Sequence, residues 1–351
     1  MSSKTAISRF LPITAWLTEC SPRSDIVAGV VLAGLLVPQG MAYAGIAGVP
    51  PQMGLYAAAA GMFVYAMFGT SRQLAVTTTS SSAAMLAALV SPLAPGDVSH
   101  YSMLASAATV AAGLIFLASG LLKLGSVSEF ISKPVLKGFV FGLALIIMVK
   151  QAHKFMGIPG GHGSFFHQAW NVITSLRAVN PWTLSVGTIA LVIMYLLATV
   201  APRVPAALVV LVLGTLAVPW FGLQQHGVEV VGTMHASLPS LSWPKIGEDE
   251  IGDIFVGAIG IVLVLMAEAL VAGRTFAAKH KYEIDPNQEL SAIGLANVTS
   301  GLVGGIIVGG GSIRITARTR ACRRRRDTQS APDCRPPQRR RRSCWSWLVV
   351  L

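Results

Sequence analysis

Residues 103–122 read MLASAATVAAGLIFLASGLL, a run of twenty residues without a charge. An α-helix rises about 1.5 Å per residue, so about 20 apolar residues cross the hydrocarbon core of a bilayer. A helix on the surface of a soluble protein would need a polar face, and this run has none. The run therefore predicts a transmembrane helix.

The composition of the whole chain agrees with this interpretation. Hydrophobic residues make up 53% of the 351 residues and charged residues only 12%, and the mean hydropathy is +0.63. Soluble domains carry about 25% charged residues. This chain has too little polar surface to cover a soluble globule, which predicts an all-α polytopic membrane protein.

Apolar stretches near the length of a membrane span recur along the chain and give about nine spans or half-spans. Seven are clear and two, at 81–93 and 290–308, are weaker. The clear ones are 26–37 with an uneven continuation to 47, 55–68, 103–122, 139–149, 184–200, 206–221 and 254–272. A polar segment precedes the first stretch and no small-residue cleavage site follows it, so we expect a retained span and not a signal peptide.

Basic residues collect in alternate loops, as they do on the cytoplasmic side of membrane proteins. Those on one predicted side are Lys4, Arg9, Arg23, Arg72, Lys123, Lys133, Lys137, Arg203, Arg274, Lys279 and Lys281. Three others, Lys150, Lys154 and Arg177, depart from the pattern and are expected at the interface, around an outer amphipathic loop. We therefore expect a cytoplasmic N-terminal segment at 1–24 and a location in the plasma membrane.

The net charge of +12 belongs mainly to the C-terminal residues 314–351. Twelve of the 27 Lys and Arg residues lie there, against only Asp327 and Asp333. Three cysteines of this tail lack zinc-site spacing. The tail fits either a disordered basic segment or a translated frameshift in GC-rich DNA. We expect no nucleic-acid partner, because no recognisable binding fold or aromatic platform accompanies the arginines.

The first apolar stretch contains the polar residues Gln39 and Tyr43, just after Pro38. Proline removes one hydrogen bond of a helix, which membrane proteins tolerate where protein or a water-filled cavity satisfies the freed carbonyl. Residues four apart project from the same helix face. The pair could line a substrate cavity, or it could simply hold two helices together.

Residues 75–82 read AVTTTSSS, six consecutive hydroxyl residues that lead into an apolar stretch. Consecutive β-branched residues favour a short extended segment, after which Thr or Ser caps a helix. The N-terminus of a half-helix at membrane depth binds anions through its free N–H groups and its positive dipole end. Thr77, Thr78 and Thr79 are therefore candidate site residues; the alternative is a loop at the bilayer surface.

Residues 304–312 read GGIIVGGGS and repeat this pattern, with a β-branched segment that enters a Gly- and Ser-rich turn. Two interrupted segments in separate halves of a membrane protein indicate an inverted repeat with a binding site near the midplane. Ser312 is the candidate residue here. A Gly-rich stretch alone would be weak support, and its pairing with residues 75–82 strengthens it.

Glu268 follows the apolar residues 259–267. A charged side chain near the centre of a membrane helix costs at least about 2.5–3.5 kcal/mol, so it is expected to face a cavity, find a partner or hold a proton. A role in coupling H⁺ or Na⁺ movement is one interpretation. A structural ion pair with Arg274 is the other.

Four blocks of sequence together resemble the SulP sulfate permease family, relatives of prestin and pendrin. They are DIVAGVVLAGLLVPQGMAYAGIAGVPPQMGLYAA at 25–58, MFGTSRQLAV at 67–76, ISKPVLKGFVFG at 131–142 and AEALVAGRTFAAKHKYEIDPNQELSAIGLANVTSGLVGG at 267–305. They occur in the family's order, and the first and last are the most specific.

The resemblance implies fourteen spans in two inverted seven-span repeats, a core domain that rocks against a gate domain, and usually a cytoplasmic STAS domain. In the family the anion lies between opposed half-helices of spans three and ten, beside span one. By position this assigns substrate binding to Gln39 and Tyr43, to Thr77, Thr78 and Thr79, and to Ser312, with Glu268 in the region that binds or moves a coupling ion. Where many members have Gly-Pro this chain has Thr77-Thr78, so its anion preference could differ.

The resemblance stops near Ser312 and so covers about nine to ten of the fourteen spans. We therefore expect an incomplete transporter domain at 25–313 without a STAS domain, and a chain that does not transport as written. The resemblance also implies that the full-length parent can form a homodimer.

Three functional classes follow. Secondary transport of small anions such as sulfate, bicarbonate or dicarboxylates is favoured. Transport of a neutral or nucleobase-like solute on the same fold is the alternative. An intramembrane enzyme is disfavoured, because the chain has no HExxH or GxSxG motif and no paired carboxylates at depth. We expect no catalytic residue, metal or cofactor apart from Na⁺ or H⁺ as a coupling ion.

Overall fold

The computed structural model describes residues 22–71, 74–94, 96–125, 133–158, 165–201, 204, 206–230, 241, 243, 247–280 and 283–312. The predictions for residues 1–21 and for the Arg-rich tail fall outside these residues. Helices dominate the described part of the chain, as predicted for a helical membrane protein. Two short strands that pair with each other are the departure from an all-α fold.

The helices and strands follow the apolar stretches of the sequence. They are α1 Pro22–Ala47, α2 Pro51–Phe68, β1 Leu74–Thr77, α3 Ser80–Val90, α4 Val98–Leu121, α5 Lys133–Met156, α6 Phe165–Thr174, α7 Pro181–Val200, α8 Ala206–Trp220, α9 Glu248–His280, α10 Pro286–Leu302 and β2 Gly309–Ser312. Short 3₁₀ turns occupy Ser175–Ala178 and Leu223–His226.

Each of the nine predicted apolar stretches contains a helix, but the last one is only partly helical. Its helix, α10, ends at Leu302. Gly304 then adopts a φ of 74°, a left-handed conformation that glycine reaches without strain and that ends helices. Among the described helices, α4, α7 and most of α9 are both long and apolar enough to cross a membrane, whereas α3 has only 11 residues.

The loop between α5 and α7 contains a helix, α6, where the sequence predicted only an outer amphipathic loop. Phe166, Trp170 and Ile173 are all largely exposed, and their spacing of four and three residues puts them on one face. A helix of this kind lies with its apolar face in the membrane interface. The amphipathic character was therefore predicted from the sequence and the helical conformation was not.

The buried core lies among α2, α3, α4, α9 and α10. Two of these helices, α4 and α10, approach so closely that their backbones touch. A Cβ atom added at Gly113 would lie 2.5 Å from the amide nitrogen of Val298, and one at Gly294 would lie 2.6 Å from that of Leu117. Small residues at such crossings let membrane helices pack backbone to backbone, so α4 and α10 form one tight unit.

By contrast, α7 has no buried residue in the described structure. Its apolar side chains point outward, and Ile189 and Tyr195 are 58% and 73% exposed. In water such a surface would be unstable, but lipid tails cover it at little cost. The outward face of α7 is therefore consistent with the predicted bilayer.

The two strands form an antiparallel pair within the core. Thr77 lies opposite Gly309 and Leu74 opposite Ser312. Glycine is needed at position 310, because a Cβ there would lie 2.9 Å from the Cβ of Ala269 on α9. Extended backbone at membrane depth is tolerated only where protein surrounds it, and this close packing supplies that environment.

Candidate functional site

The junction between β1 and α3 is the first part of the candidate site. β1 ends at Thr77, and Thr79 caps α3. The Thr79 hydroxyl accepts the Ser82 N–H at 3.1 Å, and the Ser82 hydroxyl accepts the Thr79 N–H at 3.0 Å. This reciprocal capping box fixes the helix start. The predicted extended segment followed by a capped helix is confirmed.

The cap leaves the first amides of α3 available. The first N–H groups of an α-helix have no intrahelical acceptor, and the Thr79 side chain accounts for that of Ser82. The amides of Ser80 and Ser81 therefore lie at the positive end of a helix whose first residues are half-buried. Such a helix end can bind an anion.

Thr77 and Thr78 lie immediately before this helix start and are buried, with exposures of 3% and 0%. The Thr78 hydroxyl oxygen has no hydrogen-bond partner among the residues that the structure describes. Buried hydroxyls nearly always have a partner, because an unpaired one retains the cost of its lost hydration. Thr78 therefore offers a donor beside the N-terminus of α3.

The third element of the site is Glu268, in the middle of α9. Its Oε2 atom accepts a hydrogen bond from the Ser81 hydroxyl at 2.7 Å, and the Ser81 and Thr79 hydroxyl oxygens are 3.0 Å apart. The structure thus joins Glu268 to the first turn of α3. The contact places Glu268 beside the candidate site, and the coupling role and the ion pair with Arg274 both stay predictions.

Gln39 and Tyr43 bond to each other on α1, which continues through Pro38 without a break. The Gln39 amide nitrogen donates to the Tyr43 hydroxyl at 3.3 Å, so the predicted shared face is real. α1 packs against α2 and α3. In the described part of the chain, no hydrogen bond joins this pair to Thr77, Thr78 or Thr79.

Ser312 is the last residue of β2 and lies opposite Leu74. The residue opposite Thr77 is Gly309, three positions earlier. A strand rises about 3.4 Å per residue, so the backbone of Ser312 is about 10 Å along the sheet from the point where Thr77 pairs. The strand pair thus places Gly309, and not Ser312, directly across from Thr77.

The extended segment 305–308, which leads into β2, is held by side chains that sequence reasoning missed. Asn297 bonds to both the N–H and the C=O of Val308. The hydroxyls of Ser300 and Ser82 donate to the carbonyls of Ile306 and Ile307 at 2.8 and 3.1 Å. Polar residues inside the apolar stretch 290–308 were the available signal.

A second buried carboxylate, Glu289, was also missed. It is completely buried and accepts four hydrogen bonds, one from α2 and three from the loop after it. The donors are the Tyr65 hydroxyl, the Thr70 N–H and hydroxyl at 3.0 and 2.6 Å, and the Ser71 N–H at 3.3 Å. Glu289 thus ties the start of α10 to the segment that approaches β1.

Comparisons with known proteins point to one family. The model of the sulfate permease family matches residues 23–321. A probable sulfate transporter of Mycobacterium tuberculosis is 34% identical over 292 residues, which are 83% of this chain and 52% of that protein. Probable sulfate transporter 3.3 of Arabidopsis thaliana is 33% identical over 319 residues, with coverages of 84% and 49%. The chain spans about half the length of these relatives.

Solved structures share the fold. The murine Solute Carrier 26 family member A9 anion transporter, in its inward-facing state, matches with a TM-score of 0.82 and 19% identity, over 100% of this chain and 60% of that one. The transmembrane domain of the cyanobacterial bicarbonate transporter BicA matches with a TM-score of 0.75 and 24% identity, over 93% and 80%. At these identities the likeness concerns the fold, which is that of a multi-pass membrane transporter.

Proposed function

This chain belongs to the sulfate permease family, and from that premise we propose that it binds a small anion at the N-terminus of α3 as part of a secondary transporter. The observation that carries the proposal is the Thr78 hydroxyl, which is buried without a described partner one residue before the helix cap. An anion at this point would accept its hydrogen together with those of the first amides of α3.

The chemistry of the site favours an oxyanion. Amides and hydroxyls supply partial positive charge from several directions, which suits sulfate, bicarbonate or a carboxylate group with several acceptor oxygens. The sulfate transporters among the relatives support the same class. A neutral or nucleobase-like solute is the second candidate, because the same donors could bind carbonyl oxygens.

Glu268 supports a coupled mechanism. It bonds to Ser81, so an ionised Glu268 lies close to the helix end where the anion would bind. Two negative charges repel each other strongly where protein excludes water. Binding of H⁺ or Na⁺ at Glu268 would remove this repulsion. We therefore propose that H⁺ or Na⁺ accompanies the anion, with Glu268 as the residue that takes it.

The basic residues also support a location and an orientation of the chain in the membrane. We propose the plasma membrane with a cytoplasmic N-terminus, on the distribution of basic residues. Binding can be tested on this chain directly, whatever lies beyond it in a longer protein. The homodimer stays a prediction.

Binding of radiolabelled sulfate to the purified chain in lipid nanodiscs tests the site. We expect saturable binding to the parent chain, competition by bicarbonate or dicarboxylates, and no competition by uracil. Thr78→Val keeps the side-chain shape and removes the hydroxyl, so it should weaken binding about tenfold, the effect of one lost hydrogen bond of about 1.4 kcal/mol to a charged ligand.

Thr109→Val is the matched control. Thr109 is also a buried threonine, but its hydroxyl donates to the Ala105 carbonyl of its own helix, so sulfate affinity should stay within about twofold of the parent value. Competition by uracil and not by anions would support the neutral-solute alternative. Equal affinity of Thr78→Val and the parent would move the anion site away from α3.

A further inference from the structure

A side-chain amide takes the place of a neighbouring strand at Val308. The Val308 N–H donates to Oδ1 of Asn297 at 2.9 Å, and Nδ2 of Asn297 donates to the Val308 carbonyl, also at 2.9 Å. These are the two backbone bonds that a residue of a paired strand exchanges with its partner. Val308 is fully buried and directly precedes β2.

Asn297 is held in a fixed position while it makes these two hydrogen bonds. It is fully buried on α10, and Nδ2 also donates to the Ile293 carbonyl at 2.9 Å. Both amide hydrogens and the amide oxygen are therefore engaged. Its helix is in turn packed against α4 at backbone distance through Gly294. Asn297 is thus a rigid attachment point for the residue that begins the approach to β2.

The strand that follows cannot set its own register well. β2 reads Gly309-Gly310-Gly311-Ser312, and a Gly-rich strand has few side chains to specify how it pairs, so it is prone to slip. Gly310 cannot simply be replaced, because a Cβ there would collide with Ala269 and Leu74. Some other group has to fix the register of β2.

The register of β2 affects the candidate site, because β2 lies beside Thr77 and the start of α3. Thr77 pairs with Gly309, and Gly309 follows Val308 directly. The Thr79 hydroxyl lies 3.7 Å from the position of a Cβ at Gly309. A slip of β2 by one residue would therefore change what lies beside Thr77 and beside the cap of α3.

We propose that Asn297 is a positioning residue of the anion site, which holds Val308 as a paired strand would and thereby sets the register of β2 against β1. The inference rests on the proposed function in that the strand pair borders the anion. Asn297 itself does not contact the anion. Ser300 makes a weaker version of the same attachment, through one bond to the carbonyl of Ile306.

Asn297→Asp tests the hydrogen bonds of Asn297 separately from the volume of its side chain. The new side chain keeps the shape and the acceptor for the Val308 N–H, but an ionised carboxylate cannot donate to the Val308 carbonyl. Burial keeps this carboxyl protonated at neutral pH, so we expect sulfate binding in nanodiscs to weaken about tenfold or more at high pH, where it is ionised, the usual effect of a buried carbonyl left unpaired. A protonated carboxyl regains one donor. The affinity ratio of variant to parent should therefore return toward one as the pH falls.

The register itself is measured by cross-linking, without any anion. Ala75 and Gly311 lie opposite each other, so Ala75→Cys with Gly311→Cys should form a disulfide in a chain whose four natural cysteines are replaced by Ser. Adding Asn297→Asp should lower the yield at high pH, where the carboxyl is ionised, and raise the yield of the slipped pair, Ala75→Cys with Ser312→Cys. Thr299→Val is the control on the same helix, because the Thr299 hydroxyl bonds only to its own helix carbonyls in the described structure.

The outcomes are distinguishable. If the parent chain binds no sulfate, the proposed function fails, and cross-linking alone decides the role of Asn297. If Asn297→Asp leaves both the cross-link yields and the affinity at the parent values, the inference is wrong. An affinity loss that does not recover at low pH, with unchanged cross-linking, also overturns it. If Asn297→Asp does not yield folded protein, Ser300→Ala can be used instead. It removes a single hydrogen bond to the same segment and should lower the cross-link yield in part. An unchanged yield would count against the inference.

Discussion

The hydroxyl of Ser81 donates to Oε2 of Glu268 across 2.7 Å, which links the first turn of α3 to the middle of α9. The two residues are 187 positions apart in the chain. One belongs to the helix end where we propose that the anion binds, and the other is the proposed carrier of the coupling ion. A change of charge on Glu268 therefore reaches the anion site through one hydrogen bond.

Glu268→Gln should abolish the dependence of sulfate binding on pH or Na⁺ and leave binding itself largely in place. The amide is uncharged and can still accept from the Ser81 hydroxyl, so the contact survives while the titratable charge is lost. Sulfate affinity measured across pH and across Na⁺ concentrations checks this. A variant with the full dependence of the parent would return Glu268 to a structural role.

Ser81→Ala should have a different effect. Without the hydroxyl, Glu268 loses its described donor, and its charge is no longer tied to the helix start. The hydroxyl stabilises the ionised carboxylate, so its loss favours the form of Glu268 that has bound H⁺ or Na⁺. This form does not repel the anion, so we expect sulfate affinity at neutral pH to rise and its dependence on pH or Na⁺ to become shallower. Ser102→Ala is the control, because the Ser102 hydroxyl donates within its own helix at an exposed site. Identical titration curves for Ser81→Ala and the parent would disprove the link.

Glu289→Gln should destabilise the fold. The carboxylate accepts four hydrogen bonds while fully buried, and an amide would turn its own donors toward the Thr70 and Ser71 donors. The cost should be about 2–3 kcal/mol, typical for hydrogen bonds to a buried charged group. Thermal unfolding in detergent measures it. Glu250→Gln, which removes the charge of a partly exposed carboxylate beside His100, should cost less than about 1 kcal/mol; equal losses for the two variants would contradict the argument.

Much of this architecture could be predicted from local sequence, and the rest depends on distant contacts. The apolar stretches and the run of hydroxyl residues before α3 are local signals, so the helices and the capped helix start followed from them. The pairing of Thr77 with Gly309 joins segments more than 200 residues apart, and neither four-residue strand encodes its partner. Asn297 and Glu289 were missed for different reasons. The partners of Asn297 are backbone groups, and those of Glu289 include the hydroxyls of Tyr65 and Thr70, more than 200 residues away; sequence patterns identify neither.

Gly294→Ala should separate α4 from α10. A Cβ at this position would lie 2.6 Å from the Leu117 amide nitrogen and 2.9 Å from the Gly113 carbonyl oxygen, and neither backbone atom can rotate away. Overpacking of this kind costs about 1–3 kcal/mol. Gly142→Ala on α5 is the matched control: no described atom lies within 4 Å of its new Cβ, and alanine favours helix by up to about 1 kcal/mol. A thermal midpoint for Gly294→Ala at or above that of Gly142→Ala would show that the two helices can move apart freely.

The orientation of the chain can be tested at the two ends of α9. This helix has 33 residues and so is about 50 Å long, more than the roughly 30 Å hydrocarbon core, which puts its ends on opposite sides of a bilayer. Its first turn contains Glu248, Asp249 and Glu250. Lys279 is near its other end and Lys281 follows in the sequence, so the positive-inside rule places that end in the cytoplasm. Asp249 and Glu283 flank the membrane part of the helix and are both exposed.

In cells that express a chain with its natural cysteines replaced by Ser, a membrane-impermeant maleimide should label Asp249→Cys from outside and should label Glu283→Cys only after permeabilisation. Gln225→Cys, in the exposed turn after α8, should behave like Asp249→Cys. The reverse pattern would mean that the N-terminus faces outward, and labelling of both ends of α9 from outside would mean that the helix does not span the membrane.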